Sequence, residues 1–335
     1  MTAGVFRRKI WNAVRKIPYL RPWLRSVKRR VLRRLPKNAV LRLCRNKTDW
    51  KKLKQEFERF LSGGEKGVTT TKRTPEIIVS LTSYPARVPR IHYTIFTLLR
   101  QTLKPDMVVL WLAAEQFPNG NDGLPRTLLD LLPHGLTIRY THDIKSYKKL
   151  VPALAAFPEE IIVTADDDLL YDRGMVERLY RSYHNDKDRI HAHRAHRITM
   201  NSDGKYGKYA DWEMCVGNMT GSFRNFLTSG GGVLFPPHTL HEDVADERLF
   251  MELSPSADDI WFWAMAVAKG TKICVVDDNV PAAPNYPLTY EEIVGIGAEG
   301  LMAANVFGGR NDVQLARVMD RYPVVLERLN PKEER

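Results

Sequence analysis

The chain has few cysteines and no apolar run long enough to cross a bilayer. Its three cysteines, Cys44, Cys215 and Cys274, lie far apart and form no paired spacing, which argues against a disulfide framework and against a cysteine-based zinc site. The most apolar stretch, residues 260–268, is about half the length of a membrane-spanning helix and is typical of a buried helix. Charges interrupt the N-terminus every few residues, unlike a secretory signal. These absences predict a cytoplasmic protein without a transmembrane anchor.

Several motifs of nucleotide-binding and hydrolytic enzymes are also missing. The sequence contains no G-x-x-x-x-G-K-[ST] phosphate loop, no G-x-G-x-x-G after a predicted strand, and no G-x-S-x-G nucleophile elbow. A P-loop NTPase, a dinucleotide enzyme of the common kind and an α/β-hydrolase therefore lose support.

The net charge of +12 is concentrated at the N-terminus. Residues 1–60 contain 20 Lys/Arg and 3 Asp/Glu, whereas the remaining 275 residues contain 31 and 36. Apolar and aromatic residues at helical spacing, broken by Pro18 and Pro22, predict a basic amphipathic helical extension over 1–60. Residues 1–40 suit an anionic membrane surface, so we expect a peripheral protein at the inner face of the cell membrane. Packing on the chain's own domain is the main alternative, and a nucleic-acid arm is the less favoured one.

Residues 61–75 are rich in glycine and threonine and predict a linker. After it, segments of strand character alternate with segments of helical periodicity. The predicted strands are 76–82, 107–113, 136–143 and 160–165, and the predicted helices are 90–101, 125–132, 147–157 and 175–184. This alternation is typical of an α/β fold with a mainly parallel sheet flanked by helices. The C-terminal part, 291–335, is predicted to be helical and to pack on the catalytic domain.

Three consecutive aspartates, Asp166, Asp167 and Asp168, follow the fourth predicted strand. Ligands of such sheets bind beyond the carboxyl ends of the strands. In extended backbone Asp166 and Asp168 project to one side and Asp167 to the other. Two carboxylates on one side suit a hard divalent cation, Mg²⁺ or Mn²⁺, that also contacts substrate phosphates. The simpler interpretation is an acidic turn that ends the strand.

Four short segments resemble, in their order and spacing, the glycosyltransferases of the GT-A fold. They read SLTSYPAR (80–87), TADDDLLYD (164–172), TSGGGVLFPP (228–237) and SPSADDIWFW (254–263). More narrowly, they are similar to the family 2-like bacterial enzymes of surface polysaccharide synthesis. The resemblance covers about residues 76–290 and implies a GT-A (nucleotide-diphospho-sugar transferase) catalytic domain there.

The resemblance implies a metal-dependent transfer of a sugar, with inversion, from a nucleoside-diphosphate donor to a hydroxyl of a glycan or lipid-linked acceptor. It implies that Asp168 and Asp166 bind Mn²⁺ or Mg²⁺, that Asp259 or its neighbour Asp258 is the catalytic base, and that Gly230, Gly231 and Gly232 line the acceptor site. The residues expected to bind the nucleotide sugar are Thr82, Tyr84, Arg87, Lys149, Asp166 and Asp167. An ordinary surface role is an equally good interpretation of Tyr84, Arg87 and Lys149. The acidic pair also fits simple helix capping.

The chain departs from the family pattern in two places. The acidic pair is Asp258-Asp259 rather than Glu-Asp, which leaves the base between two neighbours. No aspartate follows the second predicted strand, where many relatives hold the uracil, and Glu115 or Asp143 is expected to replace it. The segment HAHRAHR (191–197) has no zinc-ligand spacing, and its Arg194 and Arg197 suit contact with phosphate or an acidic sugar.

Two functions compete with glycosyl transfer. A metal-dependent phosphohydrolase or nuclease would use the same aspartates, but it would need further carboxylates or histidines for a second metal. It also has no evident use for SADDIW after a glycine-rich strand. A non-catalytic module at the membrane surface would have no reason to contain Asp166, Asp168 and Asp259 together.

Overall fold

The computed structural model describes residues 48–201, 204–217, 219–277, 283–284 and 309–330. The predicted membrane-contact segment, 1–40, lies outside the described residues, as does the whole region 285–308. No helix in the described ranges is both long and apolar enough to span a bilayer.

The central element is a mixed sheet that contains eight strands among the described residues. Its strands, in spatial order, are β3 (Leu136–Thr141), β2 (Met107–Ala113), β1 (Ile77–Thr82), β4 (Ile161–Ala165), β11 (Val233–Phe235), β6 (Ile190–Ala192), β12 (Ile273–Val275) and β9 (Met219–Ser222). The first four strands are parallel, and β12 is parallel to β6. β11 runs antiparallel to both of its neighbours. The predicted fold class, α/β with a mainly parallel sheet flanked by helices, is confirmed.

Two smaller sheets extend one side of the domain. One contains β10 (Asn225–Leu227), β7 (Ala195–Arg197) and β8 (Glu213–Val216), and the other pairs β13 (Ala283–Pro284) with β5 (Leu169–Leu170). The segment HAHRAHR is thus divided between the central sheet and the first smaller sheet.

Helices cover both faces of the central sheet. The described α-helices are α1 (Trp50–Ser62), α2 (Ile91–Leu99), α3 (Arg126–Leu129), α4 (Val151–Ala156), α5 (Met175–Asn185), α6 (Glu247–Leu253), α7 (Asp258–Lys269), α8 (Arg310–Arg321) and α9 (Pro323–Arg328). The predicted helix 147–157 is instead a 3₁₀ turn at Lys145–Lys149 followed by α4, with Pro152 in the first turn, where a missing N–H is tolerated. In the C-terminal region Pro323 likewise starts a second helix after α8.

Helix α7 is the buried helix predicted from the apolar stretch 260–268. Its side chains from Ile260 to Val267 are almost inaccessible to water. The indole N–H groups of Trp261 and Trp263 donate to the carbonyls of Val244 and Phe223, at 3.0 and 2.9 Å, so that burial leaves neither unsatisfied. This packing fixes the N-terminal turn of α7, which contains Asp258 and Asp259.

The segment 61–75, predicted as a linker, lies along the domain at the edge where the parallel strands begin. The backbone N–H of Gly67 donates to His134 O at 2.8 Å, and Arg73 pairs with Asp106 at 2.9 Å. Helix α1, which precedes it, buries Phe57 and Phe60.

Candidate functional site

The predicted site segments meet at one edge of the central sheet, which we call the rim. Leu81 pairs with Ala165, so β1 and β4 end together. Because β11 is antiparallel, it begins where β4 ends, and Val233 pairs with Thr164. The aspartates after β4 and the glycines before β11 are therefore neighbours. The central residues, which we call the rim cluster, are Arg87, Lys149, Asp166, Asp168, Ser229, Asp258 and Asp259.

Asp167 and Asp168 share a single guanidinium. Arg87 Nη1 lies 2.7 Å from Asp167 Oδ1 and 2.9 Å from Asp168 Oδ2. Asp167 is buried and also accepts a hydrogen bond of 2.6 Å from the Ser83 hydroxyl. β4 ends at Ala165, so the alternation expected for extended backbone does not continue through the three aspartates. Asp167 therefore holds Arg87 and the loop that follows β1, whereas the Asp168 side chain is the more exposed of the two.

Tyr84 and Thr82 differ in their availability to a ligand. The Tyr84 ring is 45% exposed and lies beside the Arg87 guanidinium, 5.5 Å from ring centroid to guanidinium carbon. Thr82 Oγ1 donates to the carbonyl of Trp111 at 2.8 Å, which holds it to the neighbouring strand. Tyr84 thus presents a surface for stacking, whereas the hydroxyl of Thr82 already has a backbone partner.

Lys149 lies at the centre of the rim cluster. Its Nζ is 2.5 Å from Asp166 Oδ1, 3.1 Å from Asp258 Oδ2 and 3.2 Å from Ser229 Oγ. Burial alone would lower the pKa of Lys149, but the surrounding carboxylates outweigh it and raise that pKa well above its ordinary value. The lysine is therefore a permanent cation that connects the aspartates after β4 to the acidic pair of α7.

Asp259 is held by a different group from its neighbour. Asp259 Oδ1 accepts hydrogen bonds from the Ser229 backbone N–H at 2.8 Å and from the Ser229 hydroxyl at 2.5 Å. Burial, and then the nearby Asp258 carboxylate, raises the pKa of Asp259 to about 6. A carboxylate with such a pKa is a stronger base than an ordinary aspartate and is still ionised at neutral pH.

The arrangement of Asp166 and Asp168 fits a divalent cation. Burial, and then the Asp166 carboxylate, raises the pKa of Asp168 to about 6, so negative charge is incompletely compensated here. Lys149 contacts only Oδ1 of Asp166, and Arg87 contacts only Oδ2 of Asp168, so each carboxylate keeps a second oxygen for a ligand. Within the described ranges no group of three or more His, Cys, Asp or Glu side chains is placed to hold a metal. Two carboxylates plus substrate oxygens is the usual coordination of Mg²⁺ in such sites.

The glycines before β11 allow the chain to pass close to the aspartates. A methyl group on Gly230 would place its carbon 1.9 Å from Asp166 Oδ2, and one on Gly231 would lie 2.6 Å from Arg194 Cβ. Gly232 has φ +95°, a conformation that side chains disfavour. The Tyr171 hydroxyl joins the two segments, accepting from Asp166 N–H at 2.7 Å and donating to Gly230 O at 2.8 Å.

We expect Gly230→Ala to lower the free energy of unfolding by about 1–3 kcal/mol, because the added carbon overlaps Asp166 and one segment has to move. Gly123→Ala is the matched control, since its methyl group would meet nothing closer than Asn119 Cβ at 3.4 Å. Urea unfolding of both variants measures the difference. Equal stability of the two variants would contradict the close approach at Gly230.

Sequence reasoning missed Ser229, Tyr171 and Ser83, whose hydroxyls connect the site segments to one another. All three lie inside the quoted motifs, but a serine or tyrosine at such a position has no spacing or charge pattern that would mark it as part of the site. Asp143, which the sequence offers as one candidate for binding the nucleobase of the donor, already accepts hydrogen bonds from Lys148, from the Lys145 N–H and from Gln116.

Three polar residues of the HAHRAHR segment, His191, Arg194 and Arg197, differ in their burial and in their hydrogen-bond partners. His191 is fully buried, and its two ring nitrogens lie 2.8 Å from Ser182 Oγ and from Asp186 O. Arg197 contacts Asn225 Oδ1 at 2.8 Å. Arg194 is exposed, and its Nε donates to Thr228 Oγ1 at 2.6 Å. Of these residues, only Arg194 presents its charge at the rim.

No family model and no curated protein matches this chain. Among solved structures, it is similar to the mannosyltransferase PcManGT from Pyrobaculum calidifontis in complex with GDP-Man and Mn²⁺, with a TM-score of 0.43, 14% identity, and coverage of 83% of this chain and 77% of that chain. It is also similar to a 4-diphosphocytidyl-2C-methyl-D-erythritol synthase, with a TM-score of 0.35, 10% identity, and coverage of 63% of this chain and 93% of that chain. The assignment of function rests on the residues of the rim.

Proposed function

We propose that the rim cluster catalyses metal-assisted transfer of a sugar from a nucleoside diphosphate to a hydroxyl of a glycan or lipid-linked acceptor. The observation that carries the proposal is the meeting of two carboxylate pairs around one buried lysine. Asp166 and Asp168 have oxygens available to a cation, and Asp258 and Asp259 open a buried helix beside them. A role in bacterial surface polysaccharide synthesis follows from the sequence resemblance and is part of the proposal.

On the donor side, Arg87 and Tyr84 are the groups suited to the nucleotide. Burial alone would lower the pKa of Arg87, but Asp167 and Asp168 raise it, so the guanidinium stays charged at every relevant pH. A charged guanidinium at the rim attracts phosphate oxygens, and the exposed Tyr84 ring can stack on a base or ribose. Asp166 and Asp168 would hold a Mn²⁺ or Mg²⁺ ion, which when bound neutralises charge on the diphosphate leaving group.

On the acceptor side, Asp259 is the group suited to remove a proton. The acceptor oxygen forms a bond to the anomeric carbon while the bond from that carbon to the diphosphate oxygen breaks, with inversion. The diphosphate leaves with the bonding electrons, and the hydroxyl proton passes to Asp259 Oδ2. Oδ1 of the same carboxylate is already occupied by the Ser229 N–H and hydroxyl. Gly230, Gly231 and Gly232, which follow Ser229 directly in the chain, are proposed to contact the acceptor through their backbone.

A thermal-shift panel of nucleotide sugars, each with Mn²⁺ and with EDTA, tests the proposal. A ligand that binds only the folded state raises its stability by mass action, by about 2.7 kcal/mol at one hundred times its Kd. We expect one donor class to raise the Tm with Mn²⁺ and to lose that effect with EDTA. Release of nucleoside diphosphate from that donor should then be measurable.

Two outcomes would contradict the proposal. Stabilisation by Mn²⁺ alone, with no effect of any nucleotide sugar, would favour a metal-dependent hydrolase. Binding of a nucleotide sugar without any release of nucleoside diphosphate, in the presence of a broad acceptor mixture, would favour a binding module.

A further inference from the structure

The ammonium group of Lys149 is enclosed by the protein. Its side chain is only 6% exposed, and three oxygens surround Nζ within 3.2 Å, from Asp166, Asp258 and Ser229. An ammonium group has three N–H donors and no acceptor. Asp166 and Ser229 accept hydrogen bonds from it, and Asp258 Oδ2 adds an ion-pair contact, so a substrate phosphate would have to compete with these three oxygens of the chain.

Ser229 receives a defined orientation from this lysine. Because Lys149 can only donate, Ser229 Oγ accepts from it, and the hydroxyl proton of Ser229 is then directed to Asp259 Oδ1 at 2.5 Å. The Ser229 N–H reaches the same oxygen at 2.8 Å. With Oδ1 accepting twice, the lone pairs of Oδ2 are the ones left to take a proton.

Lys149 also stabilises Asp258, through its charge. Asp258 Oδ2 is buried and has no hydrogen-bond partner among the described residues, although Lys149 Nζ is 3.1 Å away at ion-pair distance. A buried carboxylate without a compensating charge is strongly unfavourable. Removing the lysine would therefore leave Asp258 without a compensating charge and would leave the Ser229 hydroxyl, which donates to Asp259, without its donor.

We propose that Lys149 is a positioning residue for the base, which acts through Ser229 to select Oδ2 of Asp259 and through its charge to hold Asp258. The inference rests on the proposed function, and it assigns to Lys149 a role other than phosphate binding. Lys149 connects the donor-side carboxylate Asp166 to the base with no more than one intervening side chain. One buried cation therefore helps to position both Asp166, on the metal side, and the pair Asp258 and Asp259, on the side of the base.

The test compares Lys149→Met, Lys149→Arg and Ser229→Ala with the wild type. In Lys149→Met we expect kcat to fall by about 10²-fold, the loss typical of a misplaced reacting group, while the Kd for nucleoside diphosphate with Mn²⁺ does not rise. Lys149→Arg should recover part of kcat, because it restores the charge. Ser229→Ala leaves the lysine in place and should lower kcat without changing the donor KM. Calorimetry gives the Kd, and steady-state kinetics gives kcat and KM.

Arg73→Met is the matched control, because it also removes a cation from a buried carboxylate, Asp106, but at the opposite edge of the sheet. It should lower the Tm without lowering kcat in the folded fraction. A tenfold or greater rise in the nucleoside-diphosphate Kd of Lys149→Met, with kcat kept, would make Lys149 a phosphate ligand and overturn the inference alone. Wild-type kcat in Ser229→Ala would overturn it too. A wild type that turns over no donor would reject the proposed function, and the inference with it.

Discussion

Asp259→Asn is expected to lower kcat/KM by about 10²–10⁴-fold while leaving the nucleoside-diphosphate Kd unchanged. Asparagine keeps the shape of the side chain, and its amide oxygen can still accept from the Ser229 N–H and hydroxyl. What it loses is the ability to take a proton from the acceptor hydroxyl. The measurement is turnover of the donor identified by thermal shift, with calorimetry of the diphosphate product as the binding readout.

The pH profile provides an independent check on this role. Since burial and Asp258 raise the pKa of Asp259 to about 6, the ionised base is present above that pH and is lost below it. Wild-type kcat/KM should therefore be level above pH 6 and should fall about tenfold for each pH unit below it. The residual activity of Asp259→Asn should lack this acid limb.

Asp246→Asn is the control for Asp259→Asn, because Asp246 also opens a helix and accepts from Leu249 N–H at 3.0 Å. Asparagine caps helices as well as aspartate does, so this variant should keep wild-type stability and turnover. If Asp259→Asn retains wild-type kcat/KM, the base lies elsewhere, and the two acids in the first turn of α7 have only the usual favourable interaction with the helix dipole.

The second large effect is expected for Asp168→Ala, in which the Mn²⁺-dependent stabilisation by nucleotide should disappear. A ligand at one hundred times its wild-type Kd stabilises the wild type by about 2.7 kcal/mol, and a hundredfold loss of affinity reduces this to about 0.4 kcal/mol. The reason is that Asp168 is one of two carboxylates with an oxygen available to the cation. Thermal unfolding with and without ligand measures the difference.

The same variant should not destabilise the metal-free protein at pH 8. Burial and Asp166 raise the pKa of Asp168 to about 6, so its ionisation opposes folding above that pH, and this opposition is lost as the pH falls through 6. Removing Asp168 thus removes an unfavourable charge, while Arg87 keeps its ion pair with Asp167. Asp130→Ala removes a half-buried acid in the segment before β3, is the control and should retain the metal-dependent shift. A full metal-dependent shift in Asp168→Ala would contradict a role for Asp168 in metal binding.

The sequence predicted the parts of the fold that depend on local pattern. The buried strand 107–113 has the predicted bounds, because a short apolar run between turn signals, with β-branched residues in it, is typical of a strand covered on both faces. The placement of Asp166–Asp168 at the carboxyl end of a strand followed from the same reasoning. The single helix predicted for 147–157 was wrong in detail, since residues 145–149 form a tight 3₁₀ turn that buries Lys149.

The contacts that define the site could not be predicted from the sequence. Lys149 and Ser229 are 80 positions apart, and their contact depends on β11 running antiparallel between β4 and β6. Nothing in the three apolar residues Val233–Phe235 signals their direction, and a parallel strand would have carried Ser229 to the opposite edge. The same holds for Tyr171, which reaches Gly230 across 59 positions.

The antiparallel direction of β11 has a further consequence for how the protein reaches its native state. The pairs that close the site join residues separated by 17 to 109 positions, so most of them form only after large loops have closed. A fragment that ends after β4 would contain the three aspartates and yet leave the apolar strand Ile161–Ala165 as an open sheet edge, prone to pair with other chains. When β11 pairs with β4, it therefore covers that edge and completes the site. A shorter version of the domain that stays soluble has to retain the residues through α7.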